Sequence, residues 1–424
     1  VRILHTSDWH LGISTGFAAL SRRDEQRQFL DWLLLLLQER KLDTLVVAGD
    51  IFDSMHPSSD ALELYYRFLA RIPATGLRQV VIVGGNHDSA AQLNAPRALL
   101  QAVDVQVLGG LPPKDEGRDG MLAPLKARGS EEVQAVCLAV PYVHEYKLGI
   151  RTTDLDVKTT RADFRAAFSK LYTELADRAE ELYPGRPILA TGHLTLGGEA
   201  KRGDYPQEIH QVGNIEGLPP DILDPRIRYA ALGHIHRCYP IKGSTAWYSG
   251  SPISYSLNEG AANRRVLLVE IPDQGPAKVE PITVPQSREL LQLKGSPEQV
   301  LSAFIALSWS TALPPLVHAL VETNQAEPGF EKQLRESVGE RPEERRPILV
   351  QLKQQRPKEE EPLEAPEPLS LDSLDPGQVF GLLCDAQKLE GQDRDRLEGA
   401  FASIASADPE SFDEMLNDVG TEPA

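Results

Sequence analysis

Gln79-Val80-Val81-Ile82-Val83-Gly84-Gly85-Asn86-His87-Asp88-Ser89 is the stretch whose reading decides the fold. The β-branched apolar run predicts a buried strand, and the two glycines predict a tight turn at its end. A Cβ would clash in such a turn. What the turn delivers is Asn86, His87 and Asp88: a neutral oxygen donor, an imidazole and a carboxylate at the carboxyl end of a strand. In open α/β sheets that edge is where ligands bind. Taken alone, Asn-His-Asp also fits an ordinary polar turn, so its meaning depends on how the other strands end.

Working outward, residues 2–6 predict a strand ending in Ser7-Asp8-Trp9-His10, and residues 44–48 one ending in Gly49-Asp50-Ile51-Phe52-Asp53. Helices over 23–40 and 59–71 connect them; Phe29, Trp32, Leu33, Leu36 and Leu37 form the apolar face of the first. This βαβαβ pattern puts three strand ends on one edge of a parallel sheet. Farther on, 111–130 reads as an exposed loop, 133–140 as a strand and 161–182 as a long helix. Strands over 188–191 and 229–232 end in Gly192-His193 and Gly233-His234-Ile235-His236. Residues 197–215 read as irregular surface, and 247–252 lead to a strand near 265–271.

After Pro281 the pattern becomes strand (289–294), helix (297–307), strand (316–322), helix (329–338) and strand (347–354). The expected organisation is a main domain over 1–280, a small α+β domain over 281–354, an extended Pro- and Glu-rich linker over 355–372, and a helix pair within 373–424.

The 424 residues exceed one compact core, and 41% hydrophobic with 25% charged content is that of a soluble globular protein. The longest apolar run, 32–37, is far too short to span a bilayer. No secretory leader pattern opens the chain. Three scattered cysteines without a CxxC pair fit a reducing cytoplasm and exclude a thiolate zinc site. The net charge of -18 is uneven: residues 1–300 carry 33 Lys and Arg against 37 Asp and Glu, residues 301–424 carry 11 against 25. The acidity belongs to the tail, so polyanionic substrates stay open for the front of the chain.

Five predicted strand ends therefore carry Asp8 with His10, Asp50, Asn86 with His87, His193, and His234 with His236. A lone histidine at a strand end is more often structural, but half of the ten histidines gather at these ends. The count suits two cations: Asp8, His10, Asp50 and His236 for one, and Asp50, Asn86, His193 and His234 for the other, with Asp50 shared. Mixed imidazole, carboxylate and amide donors favour Mn²⁺, Fe²⁺ or Zn²⁺ over Mg²⁺. Two ions roughly 3.5–4 Å apart can activate water and stabilise an in-line phosphoryl displacement. His87 is spare as a ligand, so it is the candidate general acid, with Asp88 expected to orient it and keep it protonated.

Leu4-His5-Thr6-Ser7-Asp8-Trp9-His10-Leu11-Gly12, Ala48-Gly49-Asp50-Ile51-Phe52-Asp53, Gly85-Asn86-His87-Asp88-Ser89, Ala231-Leu232-Gly233-His234-Ile235-His236-Arg237 and Ser249-Gly250-Ser251-Pro252 resemble the calcineurin-like metallophosphoesterase superfamily. Within it they are similar to the bacterial SbcD nuclease family. The resemblance is close over residues 1–272. It implies an α/β fold: a layered metallophosphoesterase sheet-and-helix core, a small α+β cap domain and a tethered C-terminal helix pair. It also implies a Mn²⁺-dependent double-strand DNA exonuclease and single-strand or hairpin endonuclease. The implied partners are DNA and an SbcC-type ATPase with a coiled coil, with a homodimer inside a heterotetramer and no membrane.

Family metal ligands fall on Asp8, His10, Asp50, Asn86, His193, His234 and His236, and the family acid on His87. Archaeal relatives carry a second active-site histidine where this chain has Asp53; a turn carboxylate is an equal reading. Val379, Phe380, Leu382, Leu383, Leu397, Phe401 and Ile404 give the terminal helices apolar faces suited to a helix-in-groove contact. Candidate DNA contacts are Arg97, Arg237 and Arg264, with Arg22, Arg23, Lys201, Arg202 and Arg265 behind them. A metallophosphatase or small-molecule phosphodiesterase of the same superfamily is the rival enzyme reading.

Overall fold

A computed structural model describes residues 1–15, 20–113, 117–148, 157–197, 217–259, 264–356, 380, 384 and 391–405. The chain divides into two units, Val1–Pro357 and Lys358–Ala424. The first opens with β1 (Arg2–Thr6), a small ribbon of β2 (Ser14–Thr15) and β3 (Leu20–Ser21), α1 (Arg23–Glu39), β4 (Thr44–Ala48), α2 (Ser59–Arg71) and β5 (Gln79–Val83). Two short helices, α3 (Ala90–Asn94) and α4 (Arg97–Gln101), then lead to β6 (Val105–Leu108). Next come β7 (Leu122–Lys126), β8 (Val133–Leu138), α5 (Val157–Leu182), β9 (Ile188–His193), β10 (Ile227–Gly233), β11 (Tyr239–Pro240), β12 (Ala246–Tyr248), β13 (Arg265–Glu270) and β14 (Lys278–Thr283).

These strands build two six-stranded sheets, in the orders β14-β13-β1-β4-β5-β6 and β11-β12-β10-β9-β8-β7. The strands β1, β4, β5 and β6 run parallel, as do β8, β9, β10 and β12. Successive side chains point to opposite faces of a strand, and here both faces of the first sheet are buried. Ile3, Val46, Val81 and Val83 join the core shared with the second sheet. Leu4, Leu45, Val47, Val80 and Ile82 face the other way, onto Phe29, Leu33 and Leu37 of α1 and Phe68 of α2. Continuous apolar strands are what a sheet covered on both sides requires. Phe168, Tyr172 and Leu175 of α5 complete the first core, so the order is helices, sheet, sheet, helix.

The strand ends thus come from two sheets, which the crossover pattern alone did not reveal. A second difference lies at β7, inside the stretch expected to be exposed loop. Leu122, Ala123 and Leu125 are buried there. The strand holds Pro124 and sits at a sheet edge, where a missing N–H costs no ladder bond; that proline and its charged flanks disguised it.

The third sheet, β15 (Leu290–Gly295), β16 (Leu316–Glu322) and β17 (Ile348–Gln355), is all parallel. With α6 (Pro297–Ala306) and α7 (Phe330–Ser337) it encloses its own core around Phe304, Val317, Phe330 and Leu334. Ser296 and Gln299 close a reciprocal capping box at the start of α6. In the second unit, α8 (Gln392–Ala405) carries Phe401, whose ring stacks on Phe380 with centroids 4.3 Å apart. Val379, Leu382 and Leu383, the side chain of Ile404, and the 198–216 segment lie outside the described residues.

Polar groups tie the two large sheets together. Buried His5 on β1 reaches across to Tyr229 Oη (2.8 Å) and the Leu232 carbonyl (3.2 Å), both on β10. The carbonyl can only accept, so Nε2 donates to it and Nδ1 accepts from the phenol. Burial, partly opposed by the Leu232 carbonyl, lowers the His5 pKa to about 3, so the ring is neutral. Tyr229→Phe removes one hydroxyl and strands Nδ1 in the core. We expect it to cost about 1–3 kcal/mol in urea unfolding; a change below about 0.5 kcal/mol would mean the sheets need no such tie.

Candidate metal centre

The carboxyl ends of β1, β4, β5, β9 and β10 meet at one place, and their geometry is unusual. Asp8, His10, Asp50 and His234 all have positive φ, at 53°, 42°, 49° and 94°. Non-glycine residues pay for that conformation, and it persists only where the surroundings enforce it. Gly85 shows how tightly the loops converge: a Cβ there would lie 2.1 Å from Asp50 Oδ1 and 2.3 Å from the Asp50 nitrogen. Gly49 is equally constrained, since a Cβ would meet His193 Nδ1 at 2.1 Å.

Asp50 occupies the middle. Its Oδ2 lies 3.2 Å from His193 Nε2 and 3.6 Å from His10 Nε2, one histidine from each sheet. Oδ1 accepts the His87 backbone N–H at 2.9 Å. Burial would raise this carboxyl, but His193, His10 and His87 hold it far below the ordinary carboxylate range. Asp8 accepts the His234 N–H (2.9 Å) on one oxygen and the Ser7 hydroxyl (2.5 Å) on the other.

The histidine tautomers follow from their second partners. His193 Nδ1 donates to the Ala48 carbonyl at 2.9 Å, so a neutral ring aims its Nε2 lone pair at Asn86 Oδ1 (3.0 Å) and Asp50 Oδ2. Acceptors facing acceptors at that range need a positive charge between them. Burial alone would lower His193, yet Asp50 carries its pKa up to about 9, so a proton can fill that role. A divalent cation fills it with the same donors.

His236 repeats the arrangement. Its Nδ1 faces Glu259 Oε1 at 3.0 Å, and its Nε2 lies 3.2 Å from His10 Nε2. His234, whose Nδ1 is 3.0 Å from Asn86 Oδ1, is pushed down to about 3 by burial and the nearby His193. Donor atoms of Asp8, His10 and His236 all lie within 4.8 Å of one another, as do those of Asp8, Asp50 and His193. Nitrogen and oxygen donors in these numbers fit first-row divalent metals.

Two expectations change, one for Asp88 and one for the arginines. Asp88 does not orient His87 through its carboxylate, whose oxygens accept the backbone N–H groups of Gly85 (2.8 Å), Ile51 (3.0 Å) and Phe52 (2.9 Å). It clamps the β4 and β5 loops together, and burial raises its pKa to about 6. The His87 ring instead meets the Asp53 backbone carbonyl through Nδ1 at 2.9 Å. Asp53 also places Oδ1 3.4 Å from His10 Nδ1, with its side chain 37% exposed.

Arg264 is no surface contact for DNA. It is buried, and it donates to the His236 carbonyl (2.8 Å), Ser251 Oγ (2.8 Å) and Ser254 Oγ (3.0 Å) while pairing with Glu259 (2.8 Å). Arg22 is buried against Glu25, and Arg23 pairs with Glu63. Arg97 begins α4 and is half-buried; Arg237 is exposed beside His236. Arg265 bonds Thr283, and Lys201 and Arg202 fall outside the described residues.

Sequence reasoning missed Glu259 and Tyr255. Glu259 fixes the His236 tautomer and also accepts the Tyr255 N–H at 3.1 Å. Tyr255 donates to the Trp9 carbonyl (2.5 Å), and its ring packs edge-on against His10 and His236. No motif marks either. The available signal was chemical: a ligating histidine wants an acceptor at its other nitrogen.

Residues 1–238 match the family described as calcineurin-like phosphoesterase, and the chain belongs to that family, whose members bind divalent metals. Residues 286–388 match the family described as type 5 capsule protein repressor C-terminal domain. The chain is 34% identical over 318 residues to the SbcD subunit of nuclease SbcCD from Rhodobacter capsulatus, covering 74% of this chain and 76% of that one. It is 34% identical over 298 residues to the Escherichia coli K12 protein of the same name, covering 70% and 71%. For the Bacillus subtilis protein of that name the identity is 29% over 301 residues, covering 70% and 73%. The resemblance to SbcD-type proteins is borne out.

Glu259 supplies a pH test. Burial raises its carboxyl, but the hydrogen bond and charge of His236, then Arg264, hold it below its ordinary 4.5. A depressed carboxylate stabilises the fold above its unfolded pKa, and that stability is lost as pH falls through the folded value. Denaturant unfolding of the wild type should therefore weaken more steeply than that of Glu259→Gln from about pH 5 to about pH 3. Parallel slopes would contradict the pairing.

Proposed function

We propose that this chain is a two-metal phosphodiesterase that cleaves DNA, as a double-strand exonuclease and a single-strand or hairpin endonuclease, with Mn²⁺ as its metal. The observation that carries the reading is the Asp50 carboxylate lying between His10 and His193. Asp8, His10, Asp50 and His236 would hold one cation, and Asp50, Asn86, His193 and His234 the other. Such a pair supplies Lewis-acid polarisation of the phosphodiester and a more acidic water.

The chain's own groups do the rest. Asp88 holds the Asn86-bearing loop against the Asp50 loop, so the donors stay in register. His87 is the general acid. Its Nδ1 meets the Asp53 carbonyl, and Nε2 is the nitrogen assigned to deliver a proton to the leaving oxygen. Arg97 and Arg237 remain as phosphate contacts; among the described residues Arg237 makes no side-chain hydrogen bond or ion pair.

The relatives' shared name, a subunit of nuclease SbcCD, supports a place as nuclease subunit of such a complex; to this we add an SbcC-type coiled-coil ATPase as the partner and a homodimer within a heterotetramer. In the domain division proposed, 1–280 is the nuclease domain, 281–354 the cap, 355–372 the linker and 373–424 the partner-binding helix pair. Phe380, Phe401 and the exposed Leu397 supply apolar surface in that last segment.

With Mn²⁺, the purified chain should degrade linear duplex and open hairpin DNA. His87→Gln should keep two Mn²⁺ per chain by metal analysis and lose about 10²–10⁴-fold in hydrolysis. Asp50→Ala should lose both metal and activity. Normal turnover by His87→Gln would remove its role as acid. Hydrolysis of small phosphate esters but not of DNA would favour the phosphatase reading.

A further inference from the structure

Away from the histidines, a cavity of about 260 Å³ lies between the start of α1, the 252–254 loop and the 283–290 segment that enters the third sheet. Arg22, Arg264 and Arg288 all line it, with Glu25 as the carboxylate among them. The charges there do not balance. Glu259 serves Arg264 and is shared with His236. Glu25 is the carboxylate that pairs with both Arg22 and Arg288, the latter through Nε at 3.1 Å.

Arg22 is 3% exposed and spends Nε and Nη2 on Glu25 and the Ser254 carbonyl. Its Nη1 is buried with no hydrogen-bond partner. Arg288, with a side chain 8% exposed, uses Nη1 on the Pro314 carbonyl. Burial lowers the Arg288 pKa; Glu25 opposes this, the neighbouring Arg22 adds to it, and the charge of Asp24 acts on the same side as Glu25. Two guanidinium groups sharing one carboxylate leave a buried positive charge, which an anion would neutralise. Arg22 is also the N-cap of the 17-residue helix α1, whose dipole adds to the same sign, with Asp24 and Glu25 in its first turn set against it.

We propose that this cavity binds a free phosphate-class oxyanion, held between Arg22 and Arg288. Guanidinium forks suit tetrahedral oxyanions. The burial of Arg22 and Arg264 keeps a duplex backbone from reaching them, which favours a small soluble anion over DNA. Bound there, the anion joins the head of α1 to the segment entering the third sheet, and so fixes the third sheet against the phosphoesterase core. The inference does not rest on the nuclease reading.

Crystals of the full chain soaked in selenate should show an anomalous peak between Arg22 and Arg288. In solution, inorganic phosphate should raise the thermal midpoint of the wild type. The concentration giving half of that rise should be about tenfold higher for Arg288→Gln. An empty cavity, a peak confined to the histidine cluster, or identical phosphate dependence in the two proteins would each overturn the proposal. So would an empty cavity combined with duplex binding that weakens in Arg288→Gln, which would point to backbone phosphate instead. The wild-type soak needs no variant and decides the matter if Arg288→Gln fails to fold.

Discussion

A buried carboxylate between two imidazoles from different sheets is the constraint on which the rest depends. Asp50 lies at the end of β4, with His10 on one side from its own sheet and His193 on the other from the second sheet. A carboxylate so enclosed is costly unless positive charge meets it. The backbone N–H of His87 contributes, and the tautomers set by Ala48 and Glu259 aim ring lone pairs toward the same small volume. The site is thus arranged for cations by the hydrogen bonds behind it as much as by the donors themselves.

Holding that arrangement requires two sheets that cannot slide. His5, Tyr229 and the Leu232 carbonyl lie between them, and the His193 ring itself spans to β4 through the Ala48 carbonyl. The strained turns at Asp8, His10, Asp50 and His234 are sustained by these ties and by the Asp88 clamp. Support extends outward from the centre as well. Arg264 holds the His236 carbonyl and Glu259, and Ser254 links Arg264 to Arg22. Arg22 and Arg288 share Glu25, which brings the network to the entrance of the third sheet.

Much of this was legible in the chain because strand-end motifs are local. A β-branched run followed by glycine and a donor residue announces both the strand and what it carries, so the seven donors and His87 could be picked out together. The third sheet was equally readable, since its strands and helices alternate with clear periods; β16 falls at Leu316–Glu322 as expected. What stayed hidden was non-local. Nothing near Asp88 says that its oxygens will find Gly85, Ile51 and Phe52 rather than the adjacent imidazole. Arg264 looks like any loop arginine until its burial beside Glu259 is seen. Glu259 follows His236 by 23 residues, and the motif between them, Ser249-Gly250-Ser251-Pro252, does not point to it. The second sheet was invisible because strand order within a sheet depends on packing rather than on period.

The claim at the centre is that one aspartate serves two metals. Diffraction at the manganese absorption edge from crystals soaked in Mn²⁺ measures this directly. The account predicts two anomalous peaks roughly 3.5–4 Å apart, one beside His10 and His236 and one beside His193 and His234, both within bonding reach of Asp50. A single peak, or two peaks of which one is remote from Asp50, would contradict it.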